Sequence, residues 1–164
     1  RVGALARINL SKHSLHPNTK RDAAEALALF PSDDIFDNNL AQAIEILHSI
    51  DESIDLLTET TFVPEKPKPY TPRDAEGLGV IEAPRGTLFH RMTITADGKV
   101  KEGEVIVPTG QNQLMIEQDI KRFVQANLTL SKDMLEMRIE QLIRAYDPCM
   151  SCASHFLEVK WKEQ

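Results

Sequence analysis

Cys149 and Cys152 are the only cysteines in the chain, and they stand three positions apart in Asp147-Pro148-Cys149-Met150-Ser151-Cys152-Ala153-Ser154-His155. A Cys-x-x-Cys pair lets both sulfurs face one ion, and thiolates are natural ligands of soft and borderline transition metals. With only His155 beside them, the two sulfurs cannot close a four-ligand zinc site unless a carboxylate or another chain contributes. A dithiol redox pair is a second reading. That chemistry generally places the first cysteine at a helix N-terminus, where the dipole lowers its pKa, whereas here a helix is expected to precede the pair. On spacing alone a third reading also stays open, two small apolar side chains in a loop.

Composition narrows the setting. A chain of 164 residues with 41% hydrophobic content is long enough for one core and ordinary for a globular domain. The net charge of -6 argues against a nucleic-acid surface, which wants clustered Lys and Arg. No stretch approaches the roughly 18 consecutive apolar residues of a membrane-spanning helix. The opening Arg1-Val2-Gly3-Ala4-Leu5-Ala6-Arg7-Ile8-Asn9-Leu10 lacks the charged lead, apolar stretch and cleavage site of a signal peptide. It also lacks Met, and so reads as a fragment or processed piece. A single close pair of cysteines is unlike a secreted disulfide framework, and a reducing, cytoplasmic compartment is expected.

The elements that must position the pair follow from periodicity. Residues 11–22 are polar and turn-rich, and Ala23 to Phe30 reads as a short helix stopped by Pro31. A stronger helix covers about 39–58, with Leu40, Ala43, Ile44, Leu47 and Ile50 at helical spacing and Asp51, Glu52 and Asp55 expected among the wet positions. From Phe62 to Pro72 the prolines forbid a helix or a central strand, leaving an extended connector within one domain. Thr87–Thr95 and Lys99–Val107 are rich in β-branched residues and meet near Asp97-Gly98, which predicts a hairpin. A helix over about 112–125 should bury Ile116, Ile120, Phe123 and Val124. The last helix should start at Ser131 as N-cap, carry Leu135, Ile139, Leu142 and Ile143 on one face, and end at Pro148. The cysteines then hang from a helix C-terminus in an α+β, helix-dominated domain.

Arg144-Ala145-Tyr146-Asp147-Pro148-Cys149-x-x-Cys152-x-x-His155 resembles the C-terminal signature of nickel–iron hydrogenase large subunits. Upstream, Glu82-Ala83-Pro84-Arg85-Gly86 and Val107-Pro108-Thr109 resemble segments lining that family's active site, in the right order. The resemblance extends more weakly over about 1–155, including Val2-Gly3-x-Leu5-Ala6-Arg7-Ile8-Asn9, and is closest to the cytoplasmic group coupled to nicotinamide, deazaflavin or heterodisulfide-linked partners.

The resemblance implies that residues 1–164 form the C-terminal, active-site half of a large subunit. It makes Cys149 a terminal nickel thiolate and Cys152 a thiolate bridging nickel to an iron with cyanide and carbonyl ligands. Both must be deprotonated to bind, so the metal itself enforces the thiolate state. The family's other Cys-x-x-Cys has no match here, so two ligands must come from the N-terminal portion of the subunit or from another chain. Arg85, beside Pro84, corresponds to the guanidinium over the open side of the metals; its delocalised, weakly hydrated charge suits a partly dry pocket. Read without the resemblance, Arg85 is equally a surface arginine in a salt bridge. Thr109 corresponds to a hydroxyl donating to a cyanide, with Val107 and Pro108 as the apolar wall beside it; a helix N-terminal cap is the plain alternative. His155, with the carbonyl of Val105, corresponds to the ligands of a structural magnesium or similar ion. His90 is expected as a hydrogen bonder behind the ligands or as a satisfied core residue.

The family is usually cleaved just after the matching His, yet residues 156–164 continue here and are read as a C-terminal extension, with an alternating pattern that would suit a short strand. The function implied is reversible heterolytic cleavage of H2 to protons and electrons, with electrons leaving through an iron–sulfur small subunit toward further acceptor subunits. Two competitors remain: a hydrogenase-derived scaffold that has lost the centre, and a small metal or redox module acting alone. Intact Cys149, Cys152 and Arg85 argue against the scaffold.

Overall fold

The computed structural model describes residues 1–153 and 159–161. Helix α1 spans Ala4–Ser11, α2 Pro17–Asp22, α3 Ala24–Leu27 and α4 Asn38–Glu59. Strands β1 (Ala75–Ala83), β2 (Gly86–Ile94) and β3 (Val100–Ile106) follow, then helices α5 (Pro108–Ala126) and α6 (Lys132–Ala145). Among these residues no helix is long and apolar enough to cross a membrane.

Ala4, Leu5 and Ile8, one turn apart on α1, enter a core with Leu15, Leu27, Phe30, Ile35, Ala41, Ile44, Leu142, Ala145 and Tyr146. Met115, Ile116, Ile120 and Phe123 of α5 pack against its edge. Buried Asn38 locks three elements together: its Oδ1 accepts from Leu5 N–H at 3.1 Å and its Nδ2 donates to Ala145 O at 3.0 Å. Asn112 of α5 does the same for the chain's start, accepting from Val2 N–H at 2.9 Å and donating to Val2 O at 3.0 Å. A buried amide must be fully paired to be tolerated, so both asparagines fix register as well as contribute stability. Nearby, Tyr146 donates to Asp119 at 2.5 Å, and burial together with that carboxylate pushes its phenol up to about 12.

The long helix is placed as expected, but its faces differ. Ala41 and Ile44 are buried, whereas Ile46, Ile50, Ile54 and Leu57 form a second apolar stripe, each more than half exposed. The sheet is likewise largely exposed on both faces. Its order is β1-β2-β3, all antiparallel. The hairpin turn is not the two-residue type suggested by Asp97-Gly98. Gly98 N–H donates to Thr95 O at 2.8 Å and only Gly98 has a positive φ, 78°, which makes a three-residue loop with the glycine in the left-handed position. Two elements were not expected from periodicity: α1, and β1, which pairs with β2 across the two residues Pro84 and Arg85. The turn-rich stretch 11–22 folds into a short 3₁₀ turn and α2, with Pro17 at its first position.

His16 fastens that stretch to α4. Its Nε2 lies 2.9 Å from Asp55 Oδ2 and its backbone N–H donates to His48 Nδ1 at 3.1 Å. Asp55 raises the imidazole pKa above the ordinary histidine value, with Asp51 and Glu52 adding to it and desolvation working the other way; His16 Nδ1 accepts from Asn18 N–H at 3.2 Å. A raised folded-state pKa means that the ion pair stabilises fully below about pH 6.5 and is lost as pH rises through the raised value. The difference in melting temperature between the native protein and Asp55→Asn should therefore be largest near pH 6 and shrink toward pH 8. Thermal unfolding followed across that range checks it, and a pH-independent difference would contradict it.

Candidate metal centre

Helix α6 ends at Ala145 with Tyr146 as its C-cap, and Asp147 then takes a left-handed φ of 51° that turns the chain back toward α5. Cys149 N–H donates to Thr109 Oγ1 at 3.1 Å, and Cys152 N–H returns to Cys149 O at 3.2 Å. The two cysteines thus form one tight turn with Cα atoms 5.3 Å apart and their sulfurs joined as a disulfide. Ser151 Oγ lies 3.5 Å from Cys149 Sγ and 3.8 Å from Cys152 Sγ. In the reduced state this turn presents two thiolates to one point, the arrangement a soft or borderline metal needs. Among the described residues no three His, Cys, Asp or Glu side chains are grouped to hold a metal ion.

Thr109 is buried at the second position of α5, after Val107 as N-cap and Pro108 at the first position. The cap reading of Thr109 does not hold: Val107 is the N-cap and no side chain caps the helix start, while the Thr109 hydroxyl accepts from the cysteine turn instead. Arg85 comes from the opposite side. Its Nε donates to Asp147 O at 2.7 Å and Nη2 to Asp147 Oδ1 at 3.0 Å, so the guanidinium is held two residues before Cys149. Gln42 of α4 donates to the other carboxylate oxygen of Asp147 at 2.9 Å.

The turn carrying Arg85 is confined by close approach. Gly86 has φ 131°, and a Cβ there would meet Val2 Cγ2 at 2.6 Å; a Cβ on Gly3, φ 112°, would meet Arg85 O at 3.1 Å. Only glycine fits both places. Glu82, just before the turn, accepts from Arg7 at 2.7 Å and from Thr87. Burial opposes its ionisation, yet those two hydrogen bonds and the Arg7 charge hold its carboxyl below the usual range.

Cys149, Cys152, Arg85 and Thr109 are thus brought together, with Pro84 in the Arg85 turn and Val107 and Pro108 opening α5. Val105 and His90 are not part of this cluster's hydrogen bonding. They face each other across β3 and β2, with Val105 53% exposed and His90 at the surface. His155 and most of the 156–164 extension lie outside the described residues. Sequence reasoning gave no role to Asp147, although it stands inside the cysteine motif, nor to Gln42, Glu45 and Arg7.

A family profile described as nickel-dependent hydrogenase matches residues 2–155. Sulfhydrogenase 1 subunit alpha of Pyrococcus furiosus is 32% identical over 96% of this chain and 37% of its own length. The NAD-reducing hydrogenase HoxS subunit beta of Cupriavidus necator is 33% identical over 96% of this chain and 34% of its own. The solved structure of an NAD+-reducing [NiFe]-hydrogenase in the H2-reduced state superposes with a TM-score of 0.71 at 30% identity, covering 94% of this chain and 36% of that one. The chain therefore spans little more than a third of the length of the relatives it matches.

Proposed function

The chain belongs to the nickel-dependent hydrogenase family, and on that premise we propose that it is the C-terminal, active-site part of a large subunit that catalyses reversible heterolytic cleavage of H2. The observation that supports this reading best is the convergence of Arg85, Asp147, Thr109 and the Cys149–Cys152 turn from three separate elements.

The donor set fits a nickel–iron centre with cyanide and carbonyl on iron. Cys149 and Cys152 would hold the centre as thiolates, with two further thiolates supplied by the rest of the large subunit. When bound, the centre supplies the site where H2 is polarised and its electrons are accepted. What this chain adds is orientation and charge. Thr109 fixes the backbone of Cys149 and keeps its hydroxyl at the same spot. Arg85, held on Asp147 two residues before Cys149, would set a permanent positive charge near the centre, where a preorganised charge is most effective because it costs no reorganisation. Asp147, held by Gln42, is a fixed carboxylate two residues from Cys149 that orients the Arg85 guanidinium. Pro84, Val107 and Pro108 would form an apolar wall that adds no donors.

The second Cys pair is proposed to reside in the N-terminal portion of the large subunit, for which the exposed stripe Ile46, Ile50, Ile54 and Leu57 of α4 is a fitting seat. An iron–sulfur small subunit would carry electrons to nicotinamide, deazaflavin or heterodisulfide-linked subunits in the cytoplasm. A magnesium or similar ion would use His155 and the carbonyl of Val105, which lies on an edge strand. Metal analysis of the purified assembled complex should give stoichiometric nickel, and its infrared spectrum should carry cyanide and carbonyl bands. Absence of both refutes the reading and favours a scaffold.

A further inference from the structure

Arg7 stands on α1, in a segment to whose residues the sequence assigned no role, yet all five N–H donors of its guanidinium are engaged. Nε and Nη2 clasp Glu45 of α4 at 2.7 and 2.6 Å. Nη1 donates to Glu82 at 2.7 Å and to Ala83 O at 3.0 Å, and Nη2 also reaches Pro84 O at 3.0 Å. Ala83 and Pro84 are the two residues immediately before Arg85. Glu45 stands one helical turn from Gln42, which holds Asp147. One turn of α4 therefore anchors both members of the Arg85–Asp147 pair, directly for Asp147 and through Arg7 for the turn that carries Arg85.

We propose that Arg7, braced by Glu45, is a positioning residue that sets the Arg85 turn against the metal site. This rests on the hydrogenase reading for its effect on turnover, but not for its effect on the turn itself. The planar fork is essential, because it serves a carboxylate on one side and two carbonyls on the other. Lysine, with three donors on a single nitrogen, cannot span both. Glu45 hydrogen bonding is also the main reason the Arg7 pKa is raised.

The test uses the assembled complex with Arg7→Met, Arg7→Lys and the milder Glu45→Gln, each alone and with Arg85→Lys. Amide hydrogen exchange over residues 83–87 should accelerate in Arg7→Met and Arg7→Lys while the cysteine turn keeps its native rate. Hydrogen turnover should fall about tenfold to a hundredfold with nickel retained, since displacement of a positioned group by about an ångström has that effect. The infrared cyanide bands should shift without loss. In the Arg85→Lys background, Arg7→Met should add less than about twofold, because both changes act through one group. Should Arg7→Met fail to assemble, Glu45→Gln must show the same exchange pattern with a smaller fall. Unchanged exchange at residues 83–87, or effects of Arg7 and Arg85 that multiply, would overturn the proposal. A wild-type complex without nickel or the infrared bands would instead remove the functional reading and leave the exchange result to decide this one.

Discussion

Cys149→Ala should abolish hydrogen uptake and evolution in the assembled complex and strip it of nickel, while the subunits still co-purify. A centre shared between two thiolates here and donors elsewhere would find no ready replacement for a sulfur among the described residues, which hold no group of three His, Cys, Asp or Glu side chains. Alanine removes the one group that must be deprotonated and bound, so metal affinity is lost with the ligand. The fold should tolerate the change. The Cys149 side chain belongs to no hydrophobic core cluster, and the hydrogen bond to Thr109 comes from its backbone N–H, which alanine keeps. Metal analysis beside subunit stoichiometry makes the separation. Full nickel and turnover in Cys149→Ala would exclude this turn as the ligand site, and loss of co-purification would show that the cysteine serves assembly.

Helix α6 and the place of the cysteines after it are legible because several local signals coincide. Ser131 caps the start by accepting from Met134 N–H at 3.3 Å, Leu135, Ile139 and Leu142 are buried at helical spacing, and Pro148 forbids continuation. Strand β1 carries no such agreement. Gly77 and Gly79 dilute its β-propensity and nearly all of it is exposed, so no alternation of apolar and polar residues marks it. It is a strand because Pro84 and Arg85 turn it back onto β2, a pairing that the residues of β1 taken alone do not signal. On α4 the expected apolar face is divided: Ile44 is buried in this chain's core, whereas Ile50 belongs to the exposed stripe. Periodicity reports that a face is apolar but not what covers it.

The site shows the same division. Residue types and order revealed Cys149, Cys152, Arg85 and Thr109, because each sits in a short motif whose chemistry is local. Their supports are polar side chains on helices, 105 residues from Asp147 for Gln42 and 77 from Pro84 for Arg7. In sequence such residues are indistinguishable from a solvated helix face. Asp147 was the exception, since an acid directly before Pro-Cys at a helix end was visible and only its partner was not.

Arg85→Lys is the second decisive substitution, because structure and catalysis should part there. As an ion pair, Arg85–Asp147 is exposed by more than a third on each side, and such pairs contribute about 0–1 kcal/mol to stability. Melting of the complex should hardly change. Turnover should fall by about a hundredfold or more, the usual cost of removing one preorganised donor from a site where charge develops. Lysine keeps the charge but not the fork that now engages both the carbonyl and the carboxylate of Asp147. It must either abandon Asp147 or withdraw from the metals. The measurement is H2 oxidation rate together with nickel content and infrared bands. A slow enzyme with full nickel places Arg85 at the chemistry, whereas an unaltered rate would reduce it to the surface salt bridge that its exposure alone would suggest.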